Sequence, residues 1–274
     1  MTRDPGNRES RSITRGPAGS NAFAAQYANE ATRHAPCTIS FVTGEVESLI
    51  ASGRDGDIFA CGPGLVLRKT RDGRSIEDEA RVMEYAADHG YPVPAIKGVR
   101  AGGSEIVMER VDGPMMMSVM AKQPWTLPRY ASMLADLHDQ LHEIPAPDWV
   151  PKLPDYGDRL IHLDLHPMNV ILSHHGPVVI DWANAAAGEA MSDIAASCVL
   201  LTCPEMPAPR LVQLLAQPAR AYLARAFARR YRGPTFESCL AVMAEMKTLD
   251  PNMTASEVAA CHRLAARARS KGAA

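Results

Sequence analysis

Ile161-His162-Leu163-Asp164-Leu165-His166-Pro167-Met168-Asn169, followed by Val178-Val179-Ile180-Asp181-Trp182, decides how the rest of this 274-residue chain is read. Val170-Ile171-Leu172 and Val178-Val179-Ile180 are short apolar runs of strand type. His174-His175-Gly176-Pro177 between them supplies a turn, so the two runs predict a hairpin. Such a hairpin returns Asp181 to the edge that Asn169 occupies, and Asp164 lies on the loop that feeds it. Two carboxylates and a carboxamide in that arrangement suit one task. They can hold Mg²⁺ against the phosphates of a nucleotide and orient an attacking hydroxyl.

Upstream of this segment the chain is β-rich. Thr38–Val42, Val46–Ala51, Ile58–Cys61, Leu65–Lys69, Val93–Val99 and Glu105–Glu109 read as strands, broken by Gly/Pro/Asp turns. Residues 75–88 read as a helix with Ser75 as N-cap and Ile76, Ala80, Met83 and Ala87 as its apolar face. Beyond Val111-Asp112-Gly113-Pro114 the pattern becomes helical. Leu134, Leu137, Leu141 and Ile144 form one stripe of a helix over Leu127–Ile144, and Ala/Leu/Arg-rich helices fill the C-terminal part. Three regions result: 1–36 a flexible extension with a short helix at Ala22–Thr32, 37–111 a small antiparallel sheet with one helix, and 112–274 a larger helical lobe. The expected class is α+β, with two lobes.

Composition narrows the function. At 46% hydrophobic and 22% charged residues the chain can bury one substantial core or two modest lobes. A net charge of −2 disfavours a general nucleic-acid binder. Residues 201–274 nevertheless carry eleven Lys/Arg against five Asp/Glu. Six cysteines without a CxxC pair read as reduced, core-filling thiols. There is no apolar run of membrane-spanning length and no signal-type leader, so a soluble, cytoplasmic protein without a membrane partner is expected.

His162-x-Asp164-Leu165-His166-Pro167-x-Asn169, Ile180-Asp181-Trp182 and Ser192-Asp193-Ile194-Ala195 together resemble the aminoglycoside phosphotransferase and choline kinase-like branch of the protein-kinase-like superfamily, over approximately residues 40–200. The resemblance implies a bilobal kinase-like fold and transfer of the ATP γ-phosphate to a hydroxyl of a small molecule. It implies Asp164 as catalytic base, Asn169 and Asp181 as Mg²⁺ ligands, and Asp193 as a brace for the loop. The nucleotide side requires a cation held by a helix glutamate. Strand alternation separates Arg68 from Lys69. Arg68 aligns better than Lys69 with the family's Val-Leu-Lys strand, and Glu79, ahead of Glu77, is its expected partner. Ser52 and Gly53 open the phosphate-covering loop, which is Gly-poor. The backbones of Glu109 and Val111 are expected to meet adenine. The long helical insertion that the family often carries before the loop is missing, since only Pro145–Leu160 stands there, so an acceptor pocket that is shallower or built from elsewhere is expected. The basic C-terminal helices disfavour polycationic aminoglycosides as acceptors. No Ala-Pro-Glu motif follows Asp181, which disfavours a protein kinase.

Two readings from other classes stand beside this one. The Gly-poor loop and missing acceptor wall motivate a nucleotide-binding pseudokinase acting as an interaction module. His138-Asp139-Gln140-Leu141-His142 resembles a zinc-hydrolase HExxH helix, but Asp replaces Glu and no third ligand is evident. Packed histidines outweigh that reading roughly tenfold. His162 and His166 read as loop-bracing residues, Met115-Met116-Met117 as flexible core or pocket lining, and Arg225/Arg229/Arg230/Arg232 as a solvated helix face rather than an anion site.

Overall fold

In the strand Leu65–Thr70, Val66 and Thr70 face one way with Arg68, while Leu67 faces the other with the half-exposed Lys69. This strand, β3, is central to a five-stranded antiparallel sheet. Its partners are β1 (Leu49–Ser52), β2 (Gly56–Ala60), β4 (Ile96–Arg100) and β5 (Glu105–Glu109), in the order β1-β2-β3-β5-β4. Register pairs Arg68 with Ile58 on one side and Ile106 on the other. The structure, a computed structural model, describes residues 48–53, 56–153, 157–205 and 209–272. The helix expected at Ala22–Thr32, the Thr38–Val42 strand and the start of the Val46–Ala51 strand lie outside those residues.

Helix α1 (Glu77–Asp88) follows the sheet's first hairpins. Its N-cap is Ile76 rather than the expected Ser75, because the helix begins at Glu77; the Ser75 hydroxyl still accepts the Glu77 N–H at 3.3 Å. Glu77, Asp78 and Glu79 place negative charge at the positive helix end. Its buried face is Ile76, Ala80, Val82, Met83 and Ala86, whereas Ala87 is exposed. Ile76, Ala80 and Met83 are buried as expected, and the face widens to Val82 and Ala86 in place of Ala87, because α1 packs on both the sheet and the second lobe. Gly103 fits where α1 begins: its φ is +94°, and a Cβ there would lie 2.3 Å from the Ser75 hydroxyl oxygen. β4 starts at Ile96 rather than Val93, since Pro92 and Pro94 have no N–H to give a ladder.

The second lobe contains α2 (Met116–Lys122), α3 (Leu127–Leu141), α4 (Ala190–Thr202), α5 (Arg210–Ala228), α6 (Pro234–Lys247) and α7 (Ala255–Gly272). α2 was not anticipated from sequence. α3 ends three residues before Ile144, which stays buried and accepts the Leu160 N–H at 3.0 Å. Two small ladders frame the opening segment. β6 (Arg159–Ile161) pairs with β9 (Ala186–Gly188), and β7 (Val170–Ser173) pairs with β8 (Gly176–Val179) as the hairpin pattern predicts. Loop 162–169 therefore leaves one ladder and enters the other. The main core joins α3, α4, α5 and α6 through Leu134, Leu137, Val199, Phe227 and Leu240, and extends to Val82, Met83 and Tyr91 of the first lobe. Tyr91 meets the Trp182 ring edge-on at 5.5 Å, and the Val179 N–H binds the Pro92 carbonyl at 2.8 Å. Among the described residues no helix is long and apolar enough to cross a membrane.

Candidate active site

Loop 162–169 is held in an unusual backbone shape. Leu163 has φ +61° and Asp181, across the loop, φ +67°. Both lie in the left-handed region that costs a non-glycine residue free energy and persists only where surroundings compel it. For Leu163, Asp193, one turn into the buried helix α4, supplies that compulsion. Its carboxylate accepts the N–H of His162 at 3.2 Å and of Leu163 at 2.7 Å, while His142, the C-cap of α3, donates to it at 2.9 Å. Burial opposes the charge on Asp193, but the His142 hydrogen bond and the neighbouring histidines outweigh it. The carboxyl is held well below the usual range.

The loop presents Asp164 from this frame. Its N–H donates to His162 Nδ1 at 3.2 Å. The Asn169 amide nitrogen donates to the Asp164 carboxylate at 3.0 Å and to its carbonyl at 2.9 Å. His166 Nδ1 accepts the Met168 N–H, which turns Nε2 toward the Asp164 carboxylate at 3.6 Å. Burial pushes His166 down to about 4, so it faces Asp164 as a neutral ring. With its NH₂ directed at Asp164, Asn169 is left with its carbonyl oxygen for another partner. The Ile180 N–H binds the backbone carbonyl of Asn169 at 3.0 Å, which ties Asn169 to the strand end that carries Asp181 and leaves its side-chain oxygen untouched. An amide oxygen and a half-exposed carboxylate are hard donors of the kind Mg²⁺ takes, so this pair could hold that ion.

From the sheet lobe, Arg68 pairs with buried Glu79 and also reaches Asp181 at 3.5 Å. Lys69 points to the other face, half-exposed, and pairs with Glu105 at 3.1 Å. Glu77 is exposed and outside this set. Ser52 and Gly53 lie at the first hairpin's tip. The Ser52 hydroxyl donates to Asp57 at 2.6 Å and also meets Arg71, and the Gly53 N–H binds the Gly56 carbonyl at 2.9 Å. At the end of β5 the Glu109 N–H is already given to the Ala95 carbonyl at 2.9 Å. Val111 makes no backbone hydrogen bond of this kind among the described residues.

The zinc-like histidines are both engaged elsewhere. His142 serves Asp193, and His138, fully buried, sits between the Leu134 carbonyl and the Ser197 hydroxyl, each at 2.8 Å. Among the described residues no group of three or more His, Cys, Asp or Glu could hold a metal. Arg230 is consumed by Asp136 at 2.7 Å and Asp139 at 2.6 Å, so it braces α3 against α5. Met117 N–H binds the Pro167 carbonyl at 3.0 Å, which places the methionine run behind the loop. His142 and Ser197 were missed from sequence as parts of this frame. The signal was present: an i, i+4 His pair on one helix and an Asp/Ser pair at the same spacing on another.

Burial lowers His138 to about 4, outweighing the pull of Asp193 and of the Leu134 carbonyl, with His142 and His162 adding to the lowering. In the unfolded chain the ring takes its proton near 6.5. Between those values only the unfolded chain binds the proton. This residue's contribution is therefore complete above about pH 6.5 and is lost as pH falls toward 4, to the extent of about 3 kcal/mol at most. Urea midpoints should fall from pH 7 to pH 5, and the slope should be shallower in His138→Gln. An unchanged slope in that variant removes His138 from the acid response.

A model of the phosphotransferase enzyme family matches residues 47–153 and 148–232. No curated protein matches the chain in sequence. Among solved structures, a choline/ethanolamine kinase family protein from Mesorhizobium loti is 15% identical with a TM-score of 0.50, over 83% of this chain and 88% of that one. The aminoglycoside phosphotransferase APH(2'')-Ib, ADP-bound, is 14% identical with a TM-score of 0.54, over 90% and 99%. The streptomycin–ATP–APH(2'')-IIa ternary complex is 15% identical with a TM-score of 0.52, over 78% and 91%. At these identities the likeness is one of fold: a kinase-like architecture of sheet lobe and helical lobe.

Proposed function

The chain belongs to the phosphotransferase enzyme family, and from that premise we propose that it moves the γ-phosphate of ATP to a hydroxyl of a small molecule, with Mg²⁺ as cofactor. The observation that carries this reading is Arg68. Paired to Glu79 in one lobe, it reaches Asp181 of the other at 3.5 Å, beside the Asp164–Asn169 pair. In the proposal Asp164 accepts a hydrogen bond from the acceptor hydroxyl and takes its proton late, as the hydroxyl oxygen bonds to the γ-phosphorus and the bond to the ADP oxygen breaks. Asn169, through its carbonyl oxygen, and Asp181 would hold Mg²⁺, which neutralises phosphate charge when bound. Arg68, oriented by Glu79, steadies the phosphates. The charge excess of residues 201–274 supports a neutral or anionic acceptor over a polycation.

Isothermal titration with Mg-ATP, on wild type and Asp181→Ala, tests the nucleotide half. An ADP-release screen over sugars, amino sugars, amino alcohols and antibiotics tests the transfer half. Failure of wild type to bind nucleotide at millimolar concentration sinks the proposal, and binding without turnover on every acceptor returns the pseudokinase reading. The same titration separates the two cations of β3. Arg68→Met should weaken nucleotide binding about tenfold or more, while Lys69→Met should change it less than about twofold, because Lys69 lies on the far face with Glu105. The reverse order would transfer the phosphate role to Lys69.

A further inference from the structure

His138, in the last turn of α3, and His142, its C-cap, lie one turn apart, and Asp193 and Ser197 lie one turn apart on α4. The two pairs meet as rungs. His142 contacts Asp193 at 2.9 Å and His138 contacts Ser197 at 2.8 Å. Each α4 residue then touches the loop on one side of Asp164. Asp193 takes the N–H groups of His162 and Leu163, and the Ser197 hydroxyl donates to the Leu165 carbonyl at 2.7 Å. Asp164 is therefore suspended between two anchor points on a single buried helix, and each anchor is backed by a histidine from α3. His138, Asp193 and Ser197 are all fully buried, so no water replaces a lost partner cheaply.

Proton counting shows why the second rung is exacting. Three contacts run in line: Leu134 carbonyl to His138, His138 to Ser197, and Ser197 to Leu165 carbonyl. Both ends only accept. A neutral imidazole and one hydroxyl bring two protons to three contacts. With the ring N–H given to the Leu134 carbonyl, the Ser197 proton is shared between the Leu165 carbonyl and the ring Nε2.

We propose that His138 and Ser197 are positioning residues for Asp164: His138, held by its Nδ1–H on the Leu134 carbonyl, sets Nε2 against the Ser197 hydroxyl, which also binds the Leu165 carbonyl and so fixes the loop on the far side of the base. The kinetic consequence rests on the role proposed for Asp164, but the anchoring itself does not.

The test compares four variants of the full chain. Ser197→Ala and His138→Leu break the rung. His138→Gln keeps a hydrogen-bonding amide near the Nε2 position. Leu201→Ala opens a cavity further along α4, away from the loop, and reports plain loss of stability. Hydrogen exchange is followed by mass spectrometry in peptides covering residues 161–169, beside urea unfolding, Mg-ATP titration and ADP release with whichever acceptor wild type uses. Ser197→Ala and His138→Leu should speed exchange in those peptides selectively and lower kcat about tenfold or more, with KM for ATP within about twofold. His138→Gln should stay near wild type in exchange and kcat, and Leu201→Ala should lose stability without the selective change. Equal loosening in Leu201→Ala, or none in Ser197→Ala, overturns the proposal. Selective loosening in a wild-type background that transfers no phosphate supports the anchor and rejects the function proposed above, so the two failures are distinguishable.

Discussion

Asp164→Asn is expected to lower phosphoryl transfer by about 10²–10⁴-fold while leaving Mg-ATP affinity within about twofold. The substitution keeps the side chain's size, and one amide oxygen remains to accept the Asn169 hydrogen bond of 3.0 Å. The loop frame does not depend on the carboxylate either, since the Asp164 N–H is held by His162 and the neighbouring N–H groups by Asp193. What is lost is an acceptor for the hydroxyl proton. An amide orients a hydroxyl poorly and cannot take its proton near neutral pH, so the loss should fall on kcat. ADP release at saturating nucleotide, with titration calorimetry alongside, reads both quantities. Retention of transfer within about threefold of wild type would show that Asp164 is not the base.

Asp193→Ala carries the second large effect, in stability as well as rate. The side chain is fully buried and engages three donors: His142 and the backbone N–H groups of His162 and Leu163. Its removal leaves those donors buried without an acceptor, and it leaves Leu163 in a left-handed conformation with nothing to compensate it. Loss of one partner from a buried charged network of this kind costs about 3–5 kcal/mol. Asp193→Asn keeps one acceptor oxygen and should cost less, about 1–2 kcal/mol. Urea unfolding of the three proteins gives the comparison directly. A midpoint for Asp193→Ala corresponding to less than about 1 kcal/mol of destabilisation would mean that the loop is held by other means.

The fold was legible where the pattern is local. The β7–β8 hairpin follows from two apolar runs around Gly176-Pro177, and α1 from the spacing of Ile76, Ala80 and Met83, although its N-cap is Ile76 and not Ser75. The alternation of β3 separates Arg68 from Lys69 without any structure. Boundaries were less legible. The Leu127–Ile144 pattern overran its helix because Ile144 is as buried as the helical stripe although it lies beyond the last turn. Burial alone does not distinguish a helical position from a packed loop. The exposed face of α1 was misplaced at Ala87 for a related reason, since α1 packs on two surfaces.

The sequence by itself determined the kinds of chemistry available and their order along the chain: a basic strand, a helix glutamate, an acid-bearing loop and a hairpin that brings a second acid back. Tertiary structure decided which of these groups meet. Arg68 finds Glu79 and Asp181, Lys69 finds Glu105, and a histidine pair that resembled a zinc motif becomes the backing of Asp193 and Ser197. Hydrogen-bond partners brought together by packing are set by the relative placement of whole helices. His138 and Ser197 are 59 positions apart, and no local spacing rule reaches across that distance.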